Sequence, residues 1–293
     1  MKKLKRNIFL GLGLIGLMAF SGCGTAEKVA SENSGSDENR IVALSVSLVD
    51  ILSELDIDLV GVPTTQYQLN EKVADVTQVG LPMSPDVERI ASLNPTHVLS
   101  LTTLKSMVDE KLSIIDVAPT YLNAENIDTL KESITTIGEM FECQEEAAKL
   151  VADFEAEINN AVESVKGKDS PKVLVLFGFP GNYMAGTNAS FVGQLVELLG
   201  GTNVVPDSNT AYANVNLEAV IVQQPDIILR LTHGIREEVT QMFKKEFNEN
   251  PIWSQFEAVK NGKVYDLEDS LFNVSASLDT AEALKQLAEI IYE

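Results

Sequence analysis

Apolar positions between residues 41 and 62 predict a strand, a helix and a second strand. Residues 41–46 (IVALSV) form a short apolar run, residues 47–56 (SLVDILSELD) carry apolar side chains at helical spacing, and residues 58–62 (DLVGV) form another apolar run. Short apolar runs on either side of an amphipathic segment are typical of buried strands joined by a helix. This part of the chain therefore predicts an α/β lobe.

A second start of the same kind follows Pro171. Residues 172–178 (KVLVLFG) predict a buried strand, and we expect a loop rich in Gly and Asn after it. A helix is predicted near residues 190–199, where it would end at the pair Gly200 and Gly201. Two such starts predict an α/β fold with two Rossmann-like lobes.

One long helix is predicted between the lobes. From about Gln144 to Lys166, apolar residues recur at steps of three and four positions. A helix of that length spans roughly 35 Å, since each residue adds about 1.5 Å. We therefore divide the folded chain into an N-terminal lobe 41–142, a rigid connecting helix 143–170 and a C-terminal lobe 171–293, with a ligand cleft between the lobes.

The two lobes repeat one stretch of sequence. Residues 88–99 (ERIASLNPTHVL) align with residues 218–229 (EAVIVQQPDIIL). In each stretch a Glu opens a short helix, a Pro follows seven residues later, and an apolar strand comes next. Equal spacing in the two halves predicts two related lobes that face each other.

Residues 1–22 have the organisation of a secretory signal. Basic residues come first, and an apolar run from Ile8 to Phe20 follows that is shorter than the roughly 20 residues of a membrane-spanning helix. The Ser-Gly-Cys sequence ending at Cys23 is similar to the bacterial lipobox, whose cysteine is diacylated, although Phe20 stands where Leu is usual. Residues 23–40 are mostly polar and predict a flexible tether. An ordinary signal peptide with an incidental cysteine is the alternative.

Composition and charge exclude several classes of protein. The 293 residues contain 43 Asp and Glu against 22 Lys and Arg, which gives a formal charge of −21. Such an acidic surface repels phosphate backbones, so nucleic-acid binding is not expected. Hydrophobic residues make up 45% of the chain, which is typical of a globular protein. Two cysteines are too few for a disulfide framework or a cysteine-based metal site.

Three stretches of sequence carry a resemblance to a known family. They are residues 80–100 (GLPMSPDVERIASLNPTHVLS), 225–247 (PDIILRLTHGIREEVTQMFKKEF) and 250–268 (NPIWSQFEAVKNGKVYDLE). With the lipoprotein signal, the tether and the two lobes, they resemble the metal-chelate class of ABC-transporter substrate-binding proteins. Within that class they are similar to the haem-receptor lipoproteins of the Gram-positive iron-regulated surface determinant system. The resemblance extends from about Ile41 to the C-terminus.

The resemblance implies that the chain binds haem as a transported ligand. In that family one Met and one His from opposite lobes ligate the iron, and their counterparts here are Met83 and His233. The sequence is compatible with these roles, because Met83 lies between two prolines and His233 follows a strand, at the edge where open α/β sheets bind ligands. Without the resemblance, a lone Met such as Met83 is more often a core residue, and a His after a strand such as His233 is a ligand or catalyst only in a minority of cases.

The resemblance also implies partners. One glutamate in each lobe of the family contacts the permease, and Glu88 and Glu218 are the counterparts. We therefore expect an ABC permease dimer with its ATPase, upstream cell-surface haem-relay proteins, and a monomer that Cys23 anchors to the outer face of the cytoplasmic membrane. The alternative for the two glutamates is that they only complement the helix dipole, worth about 0.3–1 kcal/mol each.

Contacts to the porphyrin are predicted more loosely. Tyr67, Thr103, Lys105 and Tyr183 are expected on loops after strands, where they could line the cleft. Arg230 could approach a haem propionate, although a position within a strand also allows a structural ion pair. His97, the only other histidine, is expected to be a structural residue of a strand.

Two alternatives to haem transport remain. Composition leaves open the same fold with a siderophore or cobalamin as ligand, but neither would require Met83 and His233 together. An exported enzyme is not favoured, because the sequence contains no G-x-S-x-G, H-E-x-x-H or C-x-x-C motif. We therefore predict a binding protein without catalytic residues.

The lipobox-like sequence generates a prediction about anchoring. Two acyl chains give stable attachment to a membrane, whereas one gives only marginal attachment. We expect Cys23→Ala to shift the protein from the membrane fraction to the culture medium, or to leave the signal segment uncleaved, as measured by fractionation and mass spectrometry. Processing and membrane retention of the Ala variant at the parental level would contradict lipidation at Cys23.

Overall fold

Two β-sheets, one in each half of the chain, form the frame of the molecule. The structure is a computed structural model that describes residues 39–206 and 209–292. The predicted signal segment 1–22, Cys23 and most of the tether 23–40 therefore lie outside the described residues. Within the described ranges, no helix has the length and apolar character that crossing a membrane requires.

From residue 39 to the end of the first half, the structure describes seven strands and four helices. In chain order they are β1 (Ile41–Ala43), α1 (Val46–Glu54), β2 (Leu59–Val62), β3 (Thr77–Gln78), β4 (Gly80–Leu81), β5 (Ser84–Pro85), α2 (Val87–Ser92), β6 (His97–Leu101), α3 (Lys105–Leu112), β7 (Thr120–Leu122) and α4 (Ile127–Met140). Short 3-10 turns lie at Glu71–Val73 and Thr102–Leu104.

The first sheet is parallel throughout and has the strand order β3-β2-β1-β6-β7. Its middle strand is β1, whose residues Ile41, Val42 and Ala43 are completely buried. Because successive side chains of a strand point to opposite faces, Val42 packs in one apolar cluster and its two neighbours in another. A sheet covered on both faces explains the continuous apolar run in the sequence. The strand, helix and strand predicted over residues 41–62 are confirmed.

The described residues of the second half form six strands and six helices. In chain order they are α5 (Gln144–Glu163), β8 (Lys172–Phe179), β9 (Asn182–Gly186), α6 (Phe191–Leu198), β10 (Thr202–Asn203), β11 (Tyr212–Ala213), α7 (Leu217–Gln223), β12 (Ile227–Thr232), α8 (Arg236–Glu249), α9 (Glu257–Lys260), β13 (Val264–Asp266) and α10 (Thr280–Tyr292). A 3-10 turn lies at Trp253–Gln255.

The second sheet is mixed and has the strand order β11-β9-β8-β12-β13, with β10 paired to the start of β8. β8, β12 and β13 run parallel, whereas β9 returns antiparallel to β8 after the turn at Pro180 and Gly181. The loop predicted after residues 172–178 is therefore wrong in part, because residues 182–186 form a strand. Gly181 has a φ of +82°, which glycine adopts at little cost, and Pro-Gly is a turn signal.

The helix predicted near residues 190–199 is α6. Ser190 caps its start, where the hydroxyl oxygen accepts a hydrogen bond from the N–H of Gly193 at 3.1 Å. The chain leaves the helix at Gly200, as predicted from the sequence.

The predicted connecting helix is α5, which packs against both α4 and α10. It ends at Glu163, three residues before the predicted Lys166. Ser164 follows it, and its hydroxyl donates a hydrogen bond to the carbonyl of Ala161 at 2.6 Å. A serine hydroxyl that hydrogen-bonds to a carbonyl of the preceding turn competes with continuation of the helix. This accounts for the end of α5 before Lys166.

One apolar core runs through α5 from the first sheet to the second. Phe154 and Ile158 of α5 are 4% and 7% exposed. They belong to the same cluster as Leu99 of β6, Val175 of β8 and Leu284 of α10. The rigidity predicted for the connection therefore comes from packing on both sides of the helix as well as from the helix itself.

The repeated stretch has the same backbone in both halves. Asp86 and Asn216 are the N-cap residues of α2 and α7. Each side chain accepts a hydrogen bond of 3.1 Å from the backbone N–H three residues later. Each helix is followed by a residue with positive φ, +45° at Asn94 and +44° at Gln224, and then by a proline. A left-handed residue before a proline ends a helix, so the repeat seen in the sequence is also a repeat of structure.

The shared core generates a prediction about unfolding. Leu284 is completely buried in the cluster that joins the two sheets, so we expect Leu284→Ala to lower the free energy of unfolding by about 2–5 kcal/mol. Because the halves share this core, we expect fluorescence of Trp253 and far-UV circular dichroism to follow one urea transition.

Leu198→Ala is the matched control. Leu198 is 41% exposed, so its truncation should cost about 0.5 kcal/mol or less. Two separate transitions in the parent protein, or equal effects of the two substitutions, would contradict a core shared by both halves.

Candidate ligand site

Met83 lies at the tip of a small hairpin in the first half of the chain. Leu81 of β4 pairs with Ser84 of β5, so Pro82 and Met83 form the turn between the strands. The hairpin is firmly seated, because a Cβ atom on Gly80 would come within 2.6 Å of the backbone nitrogen of Asp86. The side chain of Met83 remains 52% exposed. The hairpin thus presents a thioether to the surroundings from a rigid support.

His233 follows β12 directly, as the sequence predicts. Its backbone N–H donates a hydrogen bond to the carbonyl of Gly178 at 2.8 Å, which continues the pairing of β12 with β8. The residue is exposed and precedes Gly234. His233 therefore lies at the carboxyl end of two parallel strands, the edge at which open α/β sheets bind ligands.

His233 contacts one member of an aromatic cluster. The ring centroid of Phe177 lies 5.3 Å from that of His233 and 4.3 Å from that of Tyr212, with which Phe177 is stacked. Phe179 is a further member, 6.2 Å from Phe177. Burial raises the pKa of Tyr212 to about 12, so its hydroxyl is neutral at any physiological pH. The sequence analysis missed this cluster.

Alternation along the strands separates the site residues into two sets. His233 and Phe177 lie on the face of the second sheet that packs against α5 and α10, whereas Arg230 and Tyr183 lie on the opposite face. Residues 230 and 233 are an odd number of positions apart, so this separation follows from the two-residue period of a strand. Two of the predicted porphyrin contacts therefore do not lie beside His233.

Arg230 forms the structural ion pair that the sequence analysis gave as its alternative role. Its guanidinium binds both carboxylate oxygens of Asp266, each at 2.7 Å, and lies over the rings of Phe243 and Phe247. A bidentate pair stacked on aromatic rings fixes the guanidinium strongly. Arg230 is thus held beneath α8 by partners from its own half of the chain.

Tyr183 was predicted on a loop and lies instead within β9. Its hydroxyl donates a hydrogen bond to the carboxylate of Glu246 at 2.9 Å, and its ring packs against Phe243 and Trp253. Burial, together with this carboxylate, raises the pKa of the Tyr183 hydroxyl. The physical reason for the correction is the β8–β9 hairpin, which turns this tyrosine into the core.

Of the other predicted contacts, Tyr67 is influenced electrostatically by charged residues of the second half of the chain. Burial raises the pKa of its hydroxyl, and the carboxylate of Asp269 raises it further. Asp269 forms an ion pair with Arg236 at 2.7 Å. Arg236 lies three residues after His233 in the sequence. Lys105 was predicted on a loop but is the first residue of α3, where it forms an ion pair with Asp109 at 2.8 Å. Thr103 lies in the 3-10 turn before that helix.

Large apolar side chains remain exposed beside both candidate ligands. Leu81 on the Met83 hairpin is 54% exposed, and Ile235, two residues after His233, is 62% exposed. Exposed apolar side chains near polar donors often mark a ligand site. Within the described residues, no group of three or more His, Cys, Asp or Glu side chains is arranged to hold a bare metal ion.

Glu88 and Glu218 occupy matching positions in the first turns of α2 and α7. Both are exposed, and neither forms an ion pair within the described ranges of the chain. Val222 lies one turn after Glu218 on the same side of α7 and is 78% exposed. The two helices therefore present a free carboxylate from each half.

His97 and Cys143 have structural positions. His97 begins β6, where its Nδ1 lies 3.0 Å from the hydroxyl of Thr96 and its ring contacts Phe141 edge-on at 5.2 Å. Cys143 precedes α5 and is a free thiol. The position of His97 in a strand agrees with the expectation from the sequence.

The chain matches one family model, and it is similar both to known proteins and to solved structures. Residues 41–271 match the model of the periplasmic binding protein family. The high-affinity haem uptake system protein IsdE of Staphylococcus aureus is 37% identical over 287 residues, which cover 97% of each chain.

Solved structures of similar sequence have the same fold. The crystal structure of S. aureus IsdE complexed with haem has a TM-score of 0.81 and 38% identity, covering 87% of this chain and 100% of that chain. An ABC-transporter substrate-binding protein of Listeria monocytogenes has a TM-score of 0.81 and 40% identity, covering 87% and 99%.

These matches confirm the two-lobed α/β fold and the prediction of a binding protein rather than an enzyme. They extend over both sheets and the helix between them, so they concern the whole folded part of the chain. The chain belongs to the periplasmic binding protein family, and within that family it is similar to the staphylococcal haem-uptake proteins named IsdE.

Proposed function

We propose that the protein is the haem-binding component of an ABC importer, with Met83 and His233 as the axial ligands of the iron. The observation that carries the proposal is the pair of exposed donors: a thioether at a hairpin tip in one half and an imidazole at a strand end in the other. IsdE, at 37% identity, is described as a haem uptake protein, and its structure contains haem.

The donor set suits haem iron as a cargo. A thioether and an imidazole can occupy both axial positions, and thioether ligation raises the reduction potential of the iron. Two protein ligands leave no open position for oxygen chemistry, which agrees with transport rather than catalysis. Leu81 and Ile235 add apolar surface beside the two donors, as a porphyrin face requires.

The arginines nearest His233 in sequence support a ligand with a largely apolar surface. Arg230 is paired with Asp266 and Arg236 with Asp269, so neither guanidinium is free for a highly anionic ligand. A catechol siderophore needs unpaired cations, and the propionates of haem can instead face solvent. No contact in the described residues specifically favours cobalamin or a siderophore, and haem is our conclusion.

Delivery and location complete the proposal. We infer that residues 1–22 direct export, that diacylated Cys23 holds the protein at the outer face of the cytoplasmic membrane, and that the monomer docks on a permease dimer with its ATPase. Upstream surface proteins would supply haem. Glu88 and Glu218 support docking, because matching unpaired carboxylates on two lobes suit two similar permease subunits.

The ligand assignment predicts the effect of removing each donor. We expect the parent to bind one haem with a low-spin, six-coordinate spectrum, and His233→Ala to lose that spectrum and most haem retention on gel filtration. Met83→Ala should still bind haem, with dissociation about tenfold faster or more and a lower reduction potential, because imidazole is the stronger ligand of ferric iron.

The chain offers a matched control for each donor. His97→Ala removes the other histidine, and Met107→Ala removes a thioether of similar exposure, 46%. Both should leave the Soret band and haem retention unchanged. An unchanged spectrum in His233→Ala would exclude this residue as a ligand.

The docking assignment predicts a defect in uptake without a defect in binding. We expect Glu88→Arg combined with Glu218→Arg to abolish haem uptake in cells where this protein is the only receptor, because charge reversal at a docking surface opposes association. Haem binding by the isolated double variant should equal that of the parent.

Glu145→Arg combined with Glu282→Arg makes the same charge change at exposed first-turn positions of α5 and α10. This control should import haem at the parental rate. Parental uptake by the Glu88 and Glu218 double variant would show that the permease binds elsewhere.

A further inference from the structure

The imidazole of His233 has no hydrogen bond to any described residue, and the ring contact that it makes is with Phe177. The two rings have centroids 5.3 Å apart and planes inclined by 36°. Metal-bound histidines usually donate their second ring N–H to a carboxylate or a carbonyl, which fixes the orientation of the ring. Here an aromatic ring occupies that supporting role.

The backbone of His233 is fixed independently of its ring. The hydrogen bond from its N–H to the carbonyl of Gly178 holds the peptide in register with β8 at 2.8 Å. This bond does not restrict rotation of the imidazole about the side-chain torsions. Orientation of the ring must therefore come from what the ring touches.

Phe177 is itself held on its other side. Its ring is stacked on Tyr212 with centroids 4.3 Å apart and planes inclined by 29°. Tyr212 comes from β11, which pairs with β9, while Phe177 belongs to β8, so the stack is tied to two strands. Stacked and tilted aromatic pairs are favourable beyond the burial of their surface.

We propose that Phe177, supported by Tyr212, is the positioning residue that sets the plane of the His233 imidazole, in place of a hydrogen bond. The proposal rests on the proposed function, in which His233 ligates haem iron. Phe177 acts through His233 and does not ligate the iron itself.

This arrangement has a consequence for ligand strength. A carboxylate acceptor makes an imidazole more basic and a stronger ligand, whereas an aromatic ring orients the imidazole without that effect. Phe177 would therefore orient the His233 imidazole without strengthening it as a ligand. A carrier must release its cargo, and orientation without such strengthening serves both capture and release.

The test compares two phenylalanines on the same strand. Phe177→Leu removes the ring that touches His233, whereas Phe179→Leu removes the next ring on the same face and leaves that contact in place. We expect Phe177→Leu to shift the largest g value of the ferric low-spin haem in electron paramagnetic resonance. We also expect it to release haem to an acceptor protein about tenfold faster.

Phe179→Leu should retain the parental g values and a release rate within about twofold of the parent, because Phe179 contacts Phe177 and has no ring contact with His233. Tyr212→Leu should shift the g value in the same direction as Phe177→Leu but by less. Thermal unfolding of each haem-free variant checks folding, and Phe177→Met replaces Phe177→Leu should the latter not fold. A purely structural role would lower thermal stability without moving the g values.

The outcomes separate this proposal from the proposed function. Parental g values and release rates in folded Phe177→Leu or Phe177→Met would overturn positioning by Phe177 and leave haem ligation intact. Retention of the parental spectrum by His233→Ala would overturn both proposals. A shift in Phe177→Leu that Phe179→Leu does not share supports the role of Phe177.

Discussion

Apolar packing along α5 is the constraint on which the arrangement of the candidate site depends. The Met83 hairpin belongs to the half of the chain that contains the first sheet. The strand end at His233 belongs to the half that contains the second sheet, and no short connection in the sequence links the two. Phe154 of α5 and Leu284 of α10 belong to one cluster that contacts both sheets. A buried backbone hydrogen bond from Ala276 to the carbonyl of Ala124, at 2.7 Å, links the halves again. Hydrophobic burial thus fixes how the two halves of the chain are joined, which two exposed side chains could not do.

Much of this fold could be predicted because its central elements have strong local patterns. β1 and β8 are continuous apolar runs, and α5 has apolar residues at helical steps, so burial and period are both visible in the sequence. β9 was missed because its five residues, NYMAG, show neither a continuous apolar run nor a clear apolar alternation. The pairs β4–β5 and β10–β8 involve two residues each, too few for any periodic signal.

The candidate site was predictable in position but not in its surroundings. A histidine between a strand and a glycine identified the strand edge, and the resemblance to a family supplied its role. The period of β12 could also have shown that Arg230 and His233 point to opposite faces, since they are three positions apart. Phe177 could have been found in the same way on β8. Tyr212 could not, because it reaches Phe177 only through the pairing of β11 with β9.

The half-exposed thioether of Met83 also makes the protein sensitive to oxidants. Transfer of an oxygen atom from hydrogen peroxide to the sulfur gives methionine sulfoxide and water, and it converts an apolar donor into a polar, chiral group. Met83 stands in the turn between β4 and β5, and its side chain is half exposed there. A bound iron would shield the sulfur lone pair. Cargo would therefore protect the carrier, and an unloaded carrier outside the cell would depend on a sulfoxide reductase in the same compartment to recover its second ligand.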